Sequence, residues 1–255
     1  MINEIASVDL AITNIIESNK DNELPKVSVV TVVYNDVSSI EATIKSVIIQ
    51  SCLNLEYIVI DGGSTDGTVD VIKKYSDSIS YWISERDMGI YDAMNKGSKQ
   101  AKGTWILNIN AGDELLTIPY DELRIAQENN YDALCGCVLT DNNIITKPKY
   151  NWRIKLYNTL PHQGLFYKKD SLYSNYNLKY KIFSDFAYNI GMYNRKQTVF
   201  LTDKIISFHS LGGISNHSSS TNELLSVVYD MGDIFTFSVS YLRFKWKGLI
   251  SRFKK

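Results

Sequence analysis

The stretch from Val27 to Tyr34, VSVVTVVY, limits what this chain can fold into more than any other feature. It is β-branched at nearly every position and shows no two-residue alternation of apolar and polar side chains. That pattern belongs to a strand covered on both faces, as in a parallel sheet. Asn35-Asp36 and Ser38-Ser39 then supply turn and N-cap chemistry, and Ile40, Ile44, Val47 and Ile48 recur at helical spacing. A strand followed by a helix is the expected unit.

The unit repeats. Tyr57-Ile58-Val59-Ile60 ends on Asp61 and the turn GGSTDG, with a helix expected through Val69, Val71, Ile72 and Tyr75. Tyr81-Trp82-Ile83 leads into SERDMG and a helix through Ala93 and Met94 to Lys102. A fourth strand, Thr104 to Ile109, runs into NINAGD. Strands alternating with helices imply an α/β fold with a mostly parallel sheet flanked by helices, whose ligands gather at the carboxyl ends of the strands. Those ends carry Tyr34 and Asn35, Asp61, Glu85 and Asp87, and Asn110 and Asp113. Beyond Asp113 the pattern weakens to fragments (DELRIAQENN, YDALCGCVL) and a tyrosine-rich loop region. A helix opens at Phe183-Ser184-Asp185, and a strand is expected over Val199 to Ile206, ending in the loop-like FHSLGGISNH.

The 255 residues are enough for one domain with a sizeable core, and 44% hydrophobic with 22% charged is an ordinary globular composition. No apolar run approaches the roughly 18 residues of a membrane span. Residues 1–24 lack the basic n-region of a secretory signal, so the chain is expected to stay in the cytoplasm. Three cysteines are too few and odd in number for a disulfide framework, and Cys135 and Cys137 read as buried strand residues rather than half a zinc site. A net charge of −1 excludes a strongly basic nucleic-acid binder. The charge is uneven, because the last fifteen residues, YLRFKWKGLISRFKK, hold six basic residues and no acid.

The strand-end acids come without GxGxxG, GxxxxGK[ST] or GxSxG. If phosphate binds there, a divalent cation, Mg²⁺ or Mn²⁺, held by carboxylate must neutralise it.

In order and spacing, VSVVTVVYN, VIDGGSTDGT, SERDMGIYDAMNKG and GTWILNINAGDELL resemble the family 2 glycosyltransferases of GT-A fold, especially bacterial enzymes of O-antigen, capsule and exopolysaccharide assembly. The close resemblance covers residues 26–116, and a looser one through LPHQGLFYKK, FSDFAYNI and FHSLGGIS runs to about residue 215. It implies an inverting transferase using a nucleotide-diphosphate sugar, usually UDP-linked, with a sugar on a lipid diphosphate as acceptor.

The resemblance places Tyr34 beside the nucleotide base, Asp61 as acceptor from the base, Ser64 and Asp66 in the same turn, and Asp87 facing the donor. Helix capping is the favoured alternative for Asp66. Glu85 and Arg86 have the alternative of a surface ion pair, and Asn95 and Lys96 that of a solvated helix face rather than donor contacts. NINAGD stands where the family has its aspartate-rich metal motif. It departs from it, with Asn110 for the first acid and Gly112 in the middle, which leaves Asp113 as metal ligand and Asn110 as a carbonyl helper. Asp185 matches the general base, with N-capping as the alternative. His162, Gln163 and His209 match stretches found near the acceptor or diphosphate.

The expected organisation is an extension at 1–24, a single domain at 25–215 (nucleotide-sugar half 25–116, acceptor half 117–215) and a helical tail at 216–255. In the tail Leu242, Trp246, Leu249 and Phe253 form one helical stripe among basic residues, which suits peripheral binding to an anionic inner membrane leaflet. A sugar-phosphate nucleotidyltransferase would want a Gly-rich basic loop that VSVVTVVYN lacks. A sugar-nucleotide-binding partner subunit without turnover is the non-enzymatic alternative. Ile12, Ile15 and Ile16 have helical spacing with no functional account.

Overall fold

The computed structural model describes residues 24–50, 54–210, 221–233 and 235–242. The expectations for residues 1–23 and for the basic segment 243–255 lie outside the described residues. The first half follows the strand-helix alternation: β1 (Val27–Val33), α1 (Ile40–Ile48), β2 (Leu55–Asp61), α2 (Thr68–Lys74), β3 (Tyr81–Ser84), α3 (Ile90–Gln100) and β4 (Trp105–Asn108). Then come β5 (Glu114–Leu115), α4 (Tyr120–Glu128), β6 (Ala133–Thr140), β7 (Ile145–Thr146), β8 (Leu165–Lys168), α5 (Ser184–Asn194), β9 (Val199–His209) and α6 (Thr221–Met231).

Among the described residues these strands make one sheet in the order β3-β2-β1-β4-β8-β6-β9-β5, with β7 on β6. The expected parallel arrangement holds for β3, β2, β1 and β4. The other half is mixed, because β8 runs antiparallel to both β4 and β6, β5 is antiparallel to β9, and only β6 and β9 are parallel. β8 lies in LPHQGLFYKK, where four residues carry too little periodicity to stand out from a loop. β9 continues past Ile206 to His209, since Phe208 and His209 pair with Leu139 and Thr140 and Phe208 also pairs with Glu114.

The lack of alternation in β1 is explained by its two covered faces. Val27, Val29 and Val33 pack with Ile40, Ile44 and Val47 of α1 and Ile72 of α2. Val30 and Val32 pack with Ala93 and Met94 of α3. Cys135 and Cys137 are buried free thiols in β6. The expected end of the domain at residue 215 is corrected by packing: Val227 and Val228 of α6 are fully buried with Phe186 and Ile190 of α5. Glu223 also accepts hydrogen bonds from the Ile182 and Phe183 backbone N–H groups just before α5 (2.7 and 2.9 Å). Residues 221–231 therefore belong to the fold.

α3 sits so close to the sheet that a Cβ on Gly97 would lie 2.3 Å from Val30 Cγ1 and 3.4 Å from Ile60 Cγ1. A mid-helix Gly→Ala change ordinarily gains up to about 1 kcal/mol, whereas overpacking a core costs about 1–3 kcal/mol. Gly97→Ala is expected to lower the urea midpoint, and adding Val30→Ala to recover part of the loss.

Candidate active site

Asp61, at the end of β2, is fully buried and knits three strand ends together. Its Oδ2 accepts from Gly63 N–H (3.1 Å), Ser64 N–H (2.9 Å) and Ser84 Oγ (2.5 Å), and its Oδ1 from Ser64 Oγ (2.5 Å). Ser64 Oγ in turn accepts from Asn35 N–H at 2.7 Å, and Asn35 Oδ1 accepts from Thr65 N–H at 2.9 Å. Asn35 has φ 48°, a left-handed conformation that asparagine tolerates better than most residues. Asp61 and Ser64 thus spend their hydrogen bonds on the shape of this turn. Asp66 takes the capping role: its Oδ1 accepts from Thr68 N–H (3.0 Å) and Thr68 Oγ1 (2.6 Å) at the start of α2.

Tyr34 stays 64% exposed over this turn. A Cβ on Gly62 would meet Asp87 Oδ2 at 2.6 Å and the Tyr34 ring at 3.2 Å, so Tyr34, Asp87 and the bare Gly62 backbone form one surface. Asp87 Oδ1 accepts from Gly89 N–H at 2.8 Å. Two neighbouring expectations are corrected. Glu85 pairs with Lys96 (2.8 Å) rather than Arg86, and Lys96 also donates to the Arg86 carbonyl (3.1 Å). Asn95 faces away from this surface and grips the Tyr176 backbone, donating to its carbonyl (3.0 Å) and accepting from its N–H (2.8 Å).

Asn110 to Asp113 form a tight turn closed by Asp113 N–H donating to the Asn110 carbonyl (3.0 Å), with Gly112 at φ 90°. Positive φ at the third position is the type II requirement, which explains a glycine where the family motif has an acid. Thr43 of α1 anchors the turn by accepting from Gly112 N–H (3.1 Å) and donating to the Asp113 carbonyl (2.7 Å). The Asp113 side chain is nearly buried, and its Oδ1 accepts from His209 Nδ1 (2.7 Å) and Ser210 N–H (3.3 Å).

The 3₁₀ turn His162–Gly164 sends its first two side chains to opposite partners. Gln163 reaches His209 Nδ1 (2.8 Å), and so the Asp113 cluster. Asn110 Nδ2 and His162 Nε2 lie within hydrogen-bonding distance (3.1 Å), while His162 Nδ1 stands 3.7 Å from Asp185 Oδ2, beyond hydrogen-bond length. Asp185 Oδ1 accepts from the Tyr91 hydroxyl (2.7 Å) and Oδ2 from Asn158 Nδ2 (2.9 Å). Asp185 stands in the first turn of α5 rather than at its N-cap position, Phe183. Burial works to raise the Asp185 carboxyl, but the approach and charge of His162 and the Tyr91 hydroxyl outweigh it and hold it below the usual carboxylate range. Burial works to lower His162, and the Asp185 and Asp113 charges carry it above its ordinary value.

Thus Asp113, Asn110, His162, Gln163, His209 and Asp185 form one connected cluster, and Tyr34 with Asp87 a neighbouring surface. Sequence reading did not single out Tyr91 or Asn158; their partners lie 94 and 27 residues away, beyond any local pattern. A separate cavity of about 460 Å³ lies against Asn95, Asn108, Tyr167 and Tyr176, at the base of this cluster rather than in it. For a cation, the chemistry of the donors is oxygen-rich: the Asp113 carboxylate, and Asn110 Oδ1, which is buried with no hydrogen-bond partner. Hard oxygen donors suit Mg²⁺ or Mn²⁺. The described residues hold no group of three or more His, Cys, Asp or Glu placed to ligate a metal.

Residues 28–196 match the family model described as glycosyl transferase family 2. A PGL/p-HBAD biosynthesis glycosyltransferase of Mycobacterium bovis (strain BCG / Pasteur 1173P2) is 27% identical over 209 residues, covering 75% of this chain and 80% of that protein. A cholesterol galactosyltransferase of Borreliella burgdorferi is 29% identical over 117 residues, covering 44% of this chain and 32% of that protein. Among solved structures, S. aureus TarS 1-349 in complex with UDP-GlcNAc superposes with a TM-score of 0.64 at 20% identity, covering 79% of this chain and 64% of that one, under two thirds of its length. The mannosyltransferase PcManGT from Pyrobaculum calidifontis, in complex with GDP-Man and Mn²⁺, gives a TM-score of 0.62 at 15% identity, covering 86% and 70%. At these identities the structural likeness concerns the fold, which is GT-A. The family model spans well over half of the chain, and the chain belongs to glycosyl transferase family 2, making it a glycosyltransferase.

Proposed function

We propose that the protein is an inverting glycosyltransferase that moves a hexose or N-acetylhexosamine from a UDP-sugar to a saccharide on a lipid diphosphate, in bacterial surface polysaccharide assembly of the O-antigen or capsule type. The observation that carries this reading is that one short turn links Asp113 and Asp185, from opposite halves of the chain, Gln163 reaching Asp113 through His209 and His162 reaching Asp185. A displacement needs charge stabilisation at the leaving diphosphate and a base at the attacking hydroxyl, and two separated carboxylates suit these two tasks.

Tyr34, Gly62 and Asp87 offer an exposed ring, bare backbone and a carboxylate for a nucleoside, with Asp61 and Ser64 shaping the turn beneath it. Asp113 and Asn110 would hold Mg²⁺ or Mn²⁺, which when bound supplies positive charge to the diphosphate. Asp185 takes the proton of the acceptor hydroxyl as its oxygen bonds to the anomeric carbon and the bond to the diphosphate oxygen breaks. An α-linked donor then yields a β-linked product. His162, Gln163 and His209 align this region for the acceptor and the diphosphate. A UDP-GlcNAc complex of TarS and a GDP-Man and Mn²⁺ complex of PcManGT lend support to donor and cation, and a relative named as a cholesterol galactosyltransferase supports a lipid acceptor. No helix among the described residues is long and apolar enough to cross a membrane. Membrane contact in this reading comes from the basic tail, at the inner face of the plasma membrane.

Incubation with Mn²⁺, a panel of UDP-sugars and short lipid-diphosphate acceptors should give a β-linked product by NMR; donor binding without transfer would favour a non-catalytic partner subunit. Asp185→Asn should cost about 10²-fold or more in kcat. Asp113→Ala should abolish the response of activity to added Mn²⁺, and turnover insensitive to exhaustive chelation would defeat the metal assignment. Gly62→Ala should push Asp87 and Tyr34 aside, weakening UDP binding in calorimetry while leaving the thermal midpoint nearly unchanged.

A further inference from the structure

The hydrogen bonds around Asp185 differ in kind on its two oxygens. Asn158 Nδ2 donates to Oδ2 (2.9 Å), and the Asn158 amide is itself oriented by Asn189 Nδ2 donating to its Oδ1 (3.2 Å). Asn189 is fully buried and also held by the Tyr167 hydroxyl (3.1 Å) and by the Leu160 carbonyl, to which it donates (3.3 Å). An amide locked in this way can only donate to Oδ2. Tyr91 is different. Its hydroxyl lies 2.7 Å from Asp185 Oδ1 and 2.6 Å from the Ile182 carbonyl oxygen, and it has a single proton to share between two acceptors. The ring is buried and packed against Tyr176 (centroids 5.3 Å apart), so the phenol oxygen is fixed and only its proton is free to turn.

We infer that Tyr91 is a positioning residue that follows the charge of Asp185, donating to Oδ1 while Asp185 is a carboxylate and turning to the Ile182 carbonyl once Asp185 has gained a proton. In the second state the phenol oxygen accepts from the new Oδ1 proton. Asp185 Oδ1 keeps its hydrogen bond to Tyr91 in both states, and no heavy atom moves. The acceptor's proton therefore comes to rest on Oδ1, since Oδ2 faces the fixed donor Asn158. A buried carboxyl flanked only by fixed donors would lose a bond on protonation, at a cost in rate. The inference rests on the reading of Asp185 as base.

The charged and titratable groups facing Asp185 are His162 from the 3₁₀ turn, Tyr91 from α3, and Tyr167 and Tyr176, whose hydroxyls feel its charge. Of these, Tyr91 is the direct hydrogen-bond donor to Oδ1. The Tyr91 bond favours the ionised carboxyl, so removing it moves the Asp185 titration upward.

The test compares wild type, Tyr91→Phe and Asp185→Asn in the full chain. Tyr91→Phe keeps the ring, and it should lower kcat about tenfold with donor KM unchanged. It should also move the acid limb of the kcat/KM profile up by about one pH unit, the scale of one hydrogen bond to a charged group. The Asp185 carboxyl, followed by ¹³C NMR, should show the same upward movement without substrate. Replacing Tyr91 by 3,5-difluorotyrosine, a stronger donor of the same shape, should move both readouts downward, which a merely structural role would not. An Asp185 titration unchanged by both replacements overturns the inference. Retention of turnover by Asp185→Asn overturns the base reading instead, and the NMR titration tells the two failures apart.

Discussion

The site depends on one short turn, His162–Gly164, placed where two halves of the sheet meet. It leads into β8, the strand that runs antiparallel between β4 and β6 and joins the parallel half to the mixed half. Because that turn packs closely on the middle of β6, even a Cβ on Gly164 would strike the Gly136 carbonyl at 2.6 Å. His162 and Gln163 are thereby fixed in opposite directions. One meets Asn110 and Asp185, the other His209 and, through it, Asp113. A carboxylate from the first half and another from α5 are held in one cluster by residues belonging to neither element.

Electrostatics explain why the cluster tolerates burial. A buried carboxylate is costly unless it is paired and hydrogen-bonded. Asp61 meets the requirement with four donors from its own and neighbouring strand ends, and so becomes structural. Asp113 and Asp185 each meet it with an imidazole plus one or two neutral donors, a smaller set that leaves lone pairs for a substrate or cation. The number of internal donors separates the acid that shapes the site from the two that can act in it.

Much of the first half was legible in the chain. A β-branched run without alternation marked β1 and shorter apolar runs marked β2 and β4, and polar residues after them marked the strand ends, because a strand covered on both faces has few other places for a carboxylate. The second half was less so. β8 and the extension of β9 to His209 depend on pairings with residues 30 to 94 positions away, and short strands bear no periodicity of their own. Asn95 shows the limit at a single residue: its place on α3 was readable, but its partner, the Tyr176 backbone 81 residues on, was not.

The family resemblance added Asp185 to the candidates, while the sequence by itself determined the alternating order of strands and helices, the edge of the sheet where polar side chains collect, and the strand-end carboxylates Asp61, Asp87 and Asp113. Those properties follow from local chemistry: side-chain branching, turn residues and spacing along the chain. Only the tertiary structure decided which carboxylates are consumed and which remain available, and that Tyr91 and Asn158 attend Asp185. Hydrogen-bond donors are assigned by proximity in space, and proximity between residues 91 and 185 is created by the packing of α3 and α5 on the same face of the sheet.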